Sequence, residues 1–186
     1  MADHRRGETV RRAVVEATLA LLTERGYGFS IEDVAERAQV HKTTIYRRWP
    51  TKPVLVAEAI TTMADRTVPP PEDLDPLEAL AALAQQVAAA LRHPAGVRAL
   101  RAVAAVAGDD DELVHVAADF FDTRYQLAVD LVQQAQRQGV LRKQCDPLII
   151  WEAMVNPLHV RALTGRPADD HTTAQLVELV LDGARR

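Results

Sequence analysis

The stretch HKTTIYRRWPTK, His41 to Lys52, sets four Lys/Arg side chains and a histidine beside two adjacent threonines and two aromatic rings. Nothing in that set is a nucleophile with a base or a metal-ligand cluster, so its chemistry is charge and hydrogen bonding. Lysine and arginine neutralise phosphates, arginine forks onto the acceptors of a guanine edge, and threonine offers a hydroxyl and a methyl to bases. Thr43 and Arg47 are four apart and project from one side of a helix, where Arg47 can reach guanine or a phosphate. Lys42, Thr43 and Thr44 stand at the start of that helix, the end that meets base edges in a major groove. Tyr46 and Arg48 read as phosphate contacts, which set register without reading sequence. Lys52, at the amide end of the next helix, reads as a phosphate seat. Ile45 and Trp49 lie one turn apart on the opposite face and read as core. A charge run is ordinarily a solvated face; this one is singled out by the elements around it.

Those elements are helices. Apolar residues at Val10, Val14, Ala17 and Leu21, with Leu22, mark one face of a first helix that stops at Gly26. Ser30 caps a second, with Asp33 three residues on as a capping-box acid, and this helix ends near Ala38. Only Gln39 and Val40 precede the next start, so the second and third helices must cross steeply, as in a helix-turn-helix. Pro50 stops the third helix, and Thr51 caps a fourth that runs to about Arg66.

From about Thr9 to Lys52 the chain resembles the N-terminal domain of the TetR family of bacterial regulators. The carrying motifs are Glu24-Arg25-Gly26-Tyr27, then Ser30-Ile31-Glu32-Asp33-Val34-Ala35, then Tyr46-Arg47-Arg48-Trp49-Pro50-Thr51-Lys52. The resemblance implies that Thr43, Thr44, Tyr46 and Lys52 touch DNA, and that Arg48 replaces a phosphate-contacting histidine. Ser30 and His41, at the starts of the second and third helices, complete the expected DNA-facing set. Two departures stand out. Gln39 occupies the place of a turn glycine, and a positive φ there costs on the order of 1 kcal/mol. His41 replaces a serine cap, which weakens capping but adds a phosphate donor. Arg11 and Arg12 are expected to add phosphate contacts, whereas Arg5 and Arg6 are expected in a loose N-terminal tail.

The whole composition agrees with an all-α chain. Of 186 residues 48% are apolar but only 4% aromatic, and the alternation of strands is hard to find. The net charge is −4, yet residues 1–52 carry +3 and the remainder −7. A three-helix DNA-binding domain over 1–52 and a larger helical effector-binding and dimerisation domain over 53–186 are expected, with about nine helices in all. TVPPPEDLDP interrupts the chain; Asp75-Pro76 starts a fifth helix, Pro94 a sixth that Gly108 closes, DDDELVH a long seventh ending at Gly139, Asp146-Pro147 an eighth and Thr172 or Thr173 a ninth. The last two are apolar on nearly all sides, which predicts a homodimer in which they pair with their mates as a four-helix bundle. Phe120, Phe121, Tyr125, Trp151 and Met154 could line an apolar cavity, with Tyr125, Asn156 and His159 as orienting polar groups; the competing reading is plain core.

No cofactor or metal is expected. Glu152, Asn156 and His159 share a helical face, as do His115 and Asp119, but neither set has ligand spacing. Gly26-Tyr27-Gly28 lacks the rest of a nucleotide fingerprint, and no nucleophile motif is visible, so an enzyme is not expected. The single Cys145, the lack of an apolar leader and the lack of a run of about 20 apolar residues fit a soluble chain in a reducing cytoplasm. The resemblance implies a repressor that binds a palindromic operator as a dimer and is released by a small-molecule effector. The alternative is a DNA-binding dimer whose C-terminal domain takes no ligand.

Overall fold

The computed structural model describes residues 2–71, 73–106, 111–166 and 168–185. Among them the chain forms nine helices: α1 (Ala2–Arg25), α2 (Ile31–Ala38), α3 (Lys42–Arg48), α4 (Lys52–Thr67), α5 (Pro76–Arg92), α6 (Pro94–Val106), α7 (Asp111–Arg137), α8 (Pro147–Leu163) and α9 (Asp170–Ala184). The only extended pairing among the described residues is one bridge between Leu141 and Arg185. The expected all-α architecture is therefore present.

Packing divides the chain into two compact units, Met1–Asp65 with Arg98–Phe120, and Arg66–Val97 with Phe121–Arg186. A boundary after residue 52 falls inside the first unit. The reason is α4, whose Leu55, Val56, Ala59 and Ile60 are buried in one cluster with Val14, Leu21, Leu22, Val34, Ile45 and Trp49. Four apolar positions at helical spacing hold α4 to the first core more strongly than its place after Pro50 suggests.

In the first unit α1 begins at Ala2, so Arg5 and Arg6 lie on helical backbone instead of a tail. No proline interrupts this stretch, and Gly7 is its one strong helix weakener. Gly26 ends α1 with φ 61° and donates its N–H to Leu22 O at 3.0 Å, the left-handed stop that glycine adopts without a Cβ penalty. At α2 the Ser30 hydroxyl accepts the Asp33 N–H at 3.1 Å, and the Ser30 N–H donates to Asp33 Oδ2 at 2.7 Å. Both halves of the capping box are thus made.

The second unit is built on α5, α8 and α9, which pack pairwise, with α7 from Phe121 onward. Leu80, Leu83, Ala128, Val132, Trp151, Met154, Leu158, Val177 and Leu181 supply its interior. Asp75 caps α5 by accepting the Leu77 and Glu78 N–H groups, and Asp146 caps α8 by accepting those of Leu148 and Ile149. The start of α9 lies earlier than Thr172 or Thr173: Asp169 is the cap and accepts the Thr172 N–H at 2.7 Å. Thr173 is fully buried and its hydroxyl donates back to Asp169 O, as a first-turn residue does. Gly139 (φ 77°) follows α7, and the Val140 N–H returns to Ala135 O. Pro157 does not interrupt α8, which runs through it; the ring only withholds the N–H that Ala153 O would accept. Gly108 lies outside the described residues.

Candidate nucleic-acid interface

Helix α3 is two turns long, and its two sides differ completely. Ile45 is fully buried and Trp49 is 1% exposed, and burying such a side chain contributes about 1.5–3 kcal/mol. Lys42, Thr43, Tyr46, Arg47 and Arg48 face solvent, Tyr46 at 45%, and Thr44 is half-buried. The turn before α3 is held by Gln39, left-handed at φ 55° and ψ 43°, and by Val40 N–H donating to Ala35 O at 3.0 Å. His41 occupies the N-cap position with no side-chain cap bond, which leaves its ring exposed beside the first free amides of α3.

The cations are not equally available. Lys42 pairs with Glu32 at 3.3 Å, but both ends are well exposed, and such a pair yields readily to a phosphate. Arg48 lies 5.6 Å from the centroid of the Trp49 ring, which orients it without removing its donors. Lys52 differs. Its ammonium donates to Tyr27 O at 2.6 Å and sits 3.7 Å and 4.5 Å from the Tyr27 and Phe29 ring centroids. Burial there lowers its pKa, with Asp33 opposing that shift. The expected phosphate seat is in this structure a tie between the start of α4 and the loop after α1. Arg11 likewise is committed: its Nε donates to Glu58 Oε1 at 2.5 Å, a hydrogen bond that raises its pKa further. Arg12 is exposed on α1, and the side chains of Arg5 and Arg6 lie outside the described residues. The Ser30 hydroxyl is exposed but engaged at both ends, accepting from Asp33 N–H and donating to Asp33 Oδ2 at 2.7 Å.

Three comparisons bear on this geometry. The model described as bacterial regulatory proteins, tetR family, matches residues 14–59, and the one described as tetracyclin repressor-like, C-terminal domain, matches residues 70–180. The chain belongs to the TetR family. The HTH-type transcriptional regulator AqdR of Rhodococcus erythropolis is 27% identical over 182 residues, covering 96% of this chain and 86% of that one. The DNA-binding transcriptional repressor TetR of Mycobacteroides abscessus is 45% identical over 56 residues, 30% of each chain. Among solved structures, the TetR family transcription regulator SCO0332 superposes with a TM-score of 0.79 at 27% identity, covering 95% of this chain and 99% of that one. TetR-family regulators bind DNA, typically as dimers, and the exposed side of α3 presents cations and hydroxyl groups to solvent.

In the TetR C-terminal domain, the residues expected to meet a ligand do come together. Tyr125 donates its hydroxyl to Asn156 Oδ1 at 3.3 Å and meets Trp151 edge-on at 6.3 Å between centroids. Phe121 lies 5.7 Å from Tyr125 and 6.0 Å from the His159 ring. Burial pushes the Tyr125 hydroxyl up to about 12 and the His159 imidazole down to about 4, so both are neutral at pH 7. The buried Trp151 Nε1 has no hydrogen-bond partner among the described residues, and Met154 is fully buried core. On the outer side, Ile149, Ala153, Asn156, Pro157, Val160 and Leu176 line a groove of about 690 Å³ between α8 and α9. The side chains of Phe120 and Asp119 lie outside the described residues. Among the described residues no group of three potential ligands could hold a metal ion, and no helix is long and apolar enough to cross a membrane.

Sequence reasoning missed Glu58. Its carboxylate accepts the Trp49 Nε1–H at 2.6 Å with one oxygen and Arg11 Nε with the other. The signal was available: Glu58 is an acid set among Leu55, Val56, Ala59 and Ile60, the buried stripe of α4.

Proposed function

We propose that this TetR-family protein is a transcriptional repressor that binds a palindromic operator as a homodimer and is released by a small-molecule effector. The observation that carries the reading is the division of α3: Ile45 and Trp49 seal one side, and Lys42, Thr43, Tyr46, Arg47 and Arg48 stand together on the other. Thr43, Thr44 and Arg47 read bases, while Lys42, Tyr46, Arg48 and His41 fix the phosphate register. Lys52 and Ser30 support this surface from behind. Two such helices related by a dyad contact half-sites about one helical turn apart, or a multiple of that. The dyad comes from α8 and α9, where Ile149, Val160 and Leu179 are 63%, 58% and 72% exposed. Its partner, the chromosome, places the protein in the cytoplasm, and no catalysis is assigned to it.

Selection of bound DNA by the purified protein, followed by mobility shift at several salt concentrations, tests the reading. Tyr46→Ala should weaken every sequence about equally, whereas Thr43→Ala or Arg47→Ala should change which operator variant wins. Equal losses for Thr43→Ala and Arg47→Ala on all variants would refute the assignment of base contacts.

The effector site is placed at Phe121, Tyr125, Trp151, Asn156 and His159, with Met154 beneath. One observation favours a second, ligand-free reading: these rings already pack against one another, tilted or edge-on, at 5.7–6.3 Å. Thermal melting with a panel of small apolar and cationic compounds separates the two, since a ligand bound only by the native state raises the midpoint.

A further inference from the structure

Helix α3 has little of its own to hold it at a fixed angle. It is seven residues long, its N-cap His41 makes no side-chain bond, and at its C-cap Trp49 the backbone leaves the helix at φ −121° and ψ 97°. Helices this short are not stable by themselves, so the direction of the exposed side is set by whatever grips its buried side. Two side chains do so. Ile45 is apolar and packs without a directional bond. Trp49 packs likewise, but its indole N–H also reaches Glu58 on α4 at 2.6 Å.

We propose that Glu58 is a positioning residue for DNA recognition, a carboxylate joint through which α4 fixes the angle of α3. This rests on the reading of α3 as the DNA-contacting helix. The joint has three arms. The indole of Trp49 and the guanidinium of Arg11 on α1 donate to different oxygens of one carboxylate, at 2.6 and 2.5 Å. Bonds to an ionised acceptor are about twice as strong as neutral ones. Arg11 keeps the Glu58 oxygens aimed, and with Arg11 so engaged the carboxylate cannot swing to solvent without breaking a second bond. A turn of α4 about its axis, or a slide along it, therefore pulls on the Trp49 ring, and with it on the last turn that carries Arg47 and Arg48. A phenylalanine at position 49 would fill the same core with no donor, so the indole nitrogen is what makes the coupling directional.

The test uses the full chain and an operator recovered by selection with it. Trp49→Phe and Glu58→Leu should each weaken operator binding about tenfold, the scale of one charge-assisted bond. Binding to random DNA of equal length and the salt slope should stay unchanged, because the phosphate contacts remain. The double variant should lose no more than either single one, since both remove the same bond. Glu58→Gln, which still offers the indole an oxygen, should recover most of the loss. Operator affinity within about twofold of wild type in both single variants, losses that multiply in the double variant, or equal falls on operator and random DNA would each overturn the proposal. If Glu58→Leu does not fold, the indole N–H resonances of the free protein decide: Glu58→Gln should move that of Trp49 and leave that of Trp151, and an unmoved Trp49 signal overturns the joint. A wild-type protein that selects no DNA sinks the function proposed above instead, and the same resonances, with amide exchange in α3, still test the joint by itself.

Discussion

Gln39 holds a left-handed backbone, φ 55° and ψ 43°, with a full side chain attached. Its N–H serves Ala35 and Glu36 carbonyls at the end of α2, so the strain is retained for the sake of the turn that aims α3. Glycine adopts this conformation without the Cβ clash. Gln39→Gly is therefore expected to stabilise the protein by about 1 kcal/mol, less the extra entropy it gives the unfolded chain, read as a higher melting midpoint; a lower one would show that the strain is absent in solution. His159 carries a pH dependence with a definite sign. Burial holds its imidazole near pKa about 4, against about 6.5 when exposed. Above about 6.5 the ring is neutral in folded and unfolded chains alike and takes nothing from stability. Between about 6.5 and about 4 the unfolded chain binds a proton that the folded chain refuses, so stability falls with falling pH across that window. His159→Phe should reduce the drop in melting midpoint between pH 7 and pH 5, and an equal drop in both proteins would disprove the buried neutral ring.

The joint between α5 and α6 has no room for even one more carbon. A Cβ on Gly96, in the first turn of α6, would lie 2.1 Å from the carbonyl oxygen of Ala90, a backbone atom that cannot step aside. Gly96→Ala should cost about 1–3 kcal/mol by overpacking, measured by chemical denaturation, although alanine is the better helix former; a neutral result would mean that the two helices part easily. Helix starts were the most legible feature of the sequence, because the signals are local: Ser30 and Asp33 for α2, Asp75 and Pro76 for α5, Asp146 and Pro147 for α8. The start of α9 was misread because Asp169 caps from three residues ahead of Thr172, the donor it serves. Side-chain commitments were not legible. Lys52 meets Tyr27 and Arg11 meets Glu58 across separations of 25 and 47 residues, and charge and spacing along one helix carry no record of a partner on another. The division of α3 into a buried and an exposed side could thus be read from local spacing, but not which nearby cations remain free.

At the scale of the whole molecule, the assembly proposed above rests on the exposed apolar side chains Ile149, Val160 and Leu179 of α8 and α9. Leu179→Glu places a charge on the most exposed large apolar side chain of the described residues. It is expected to give single-subunit mass in sedimentation and to abolish operator binding, while each subunit keeps its helical content; an intact dimer would move the dyad to another surface. The two tryptophans of the chain are distributed one to each compact unit, Trp49 in the first and Trp151 in the second, both sealed from water. Each is thus a native lamp for its own half. Trp49 donates to a carboxylate, whereas the Trp151 nitrogen meets no acceptor among the described residues, so Trp151 should glow at shorter wavelength. Emission followed through a denaturant titration, in Trp49→Phe and Trp151→Phe separately, then reports whether the two halves come apart in one step or two, with no dye attached.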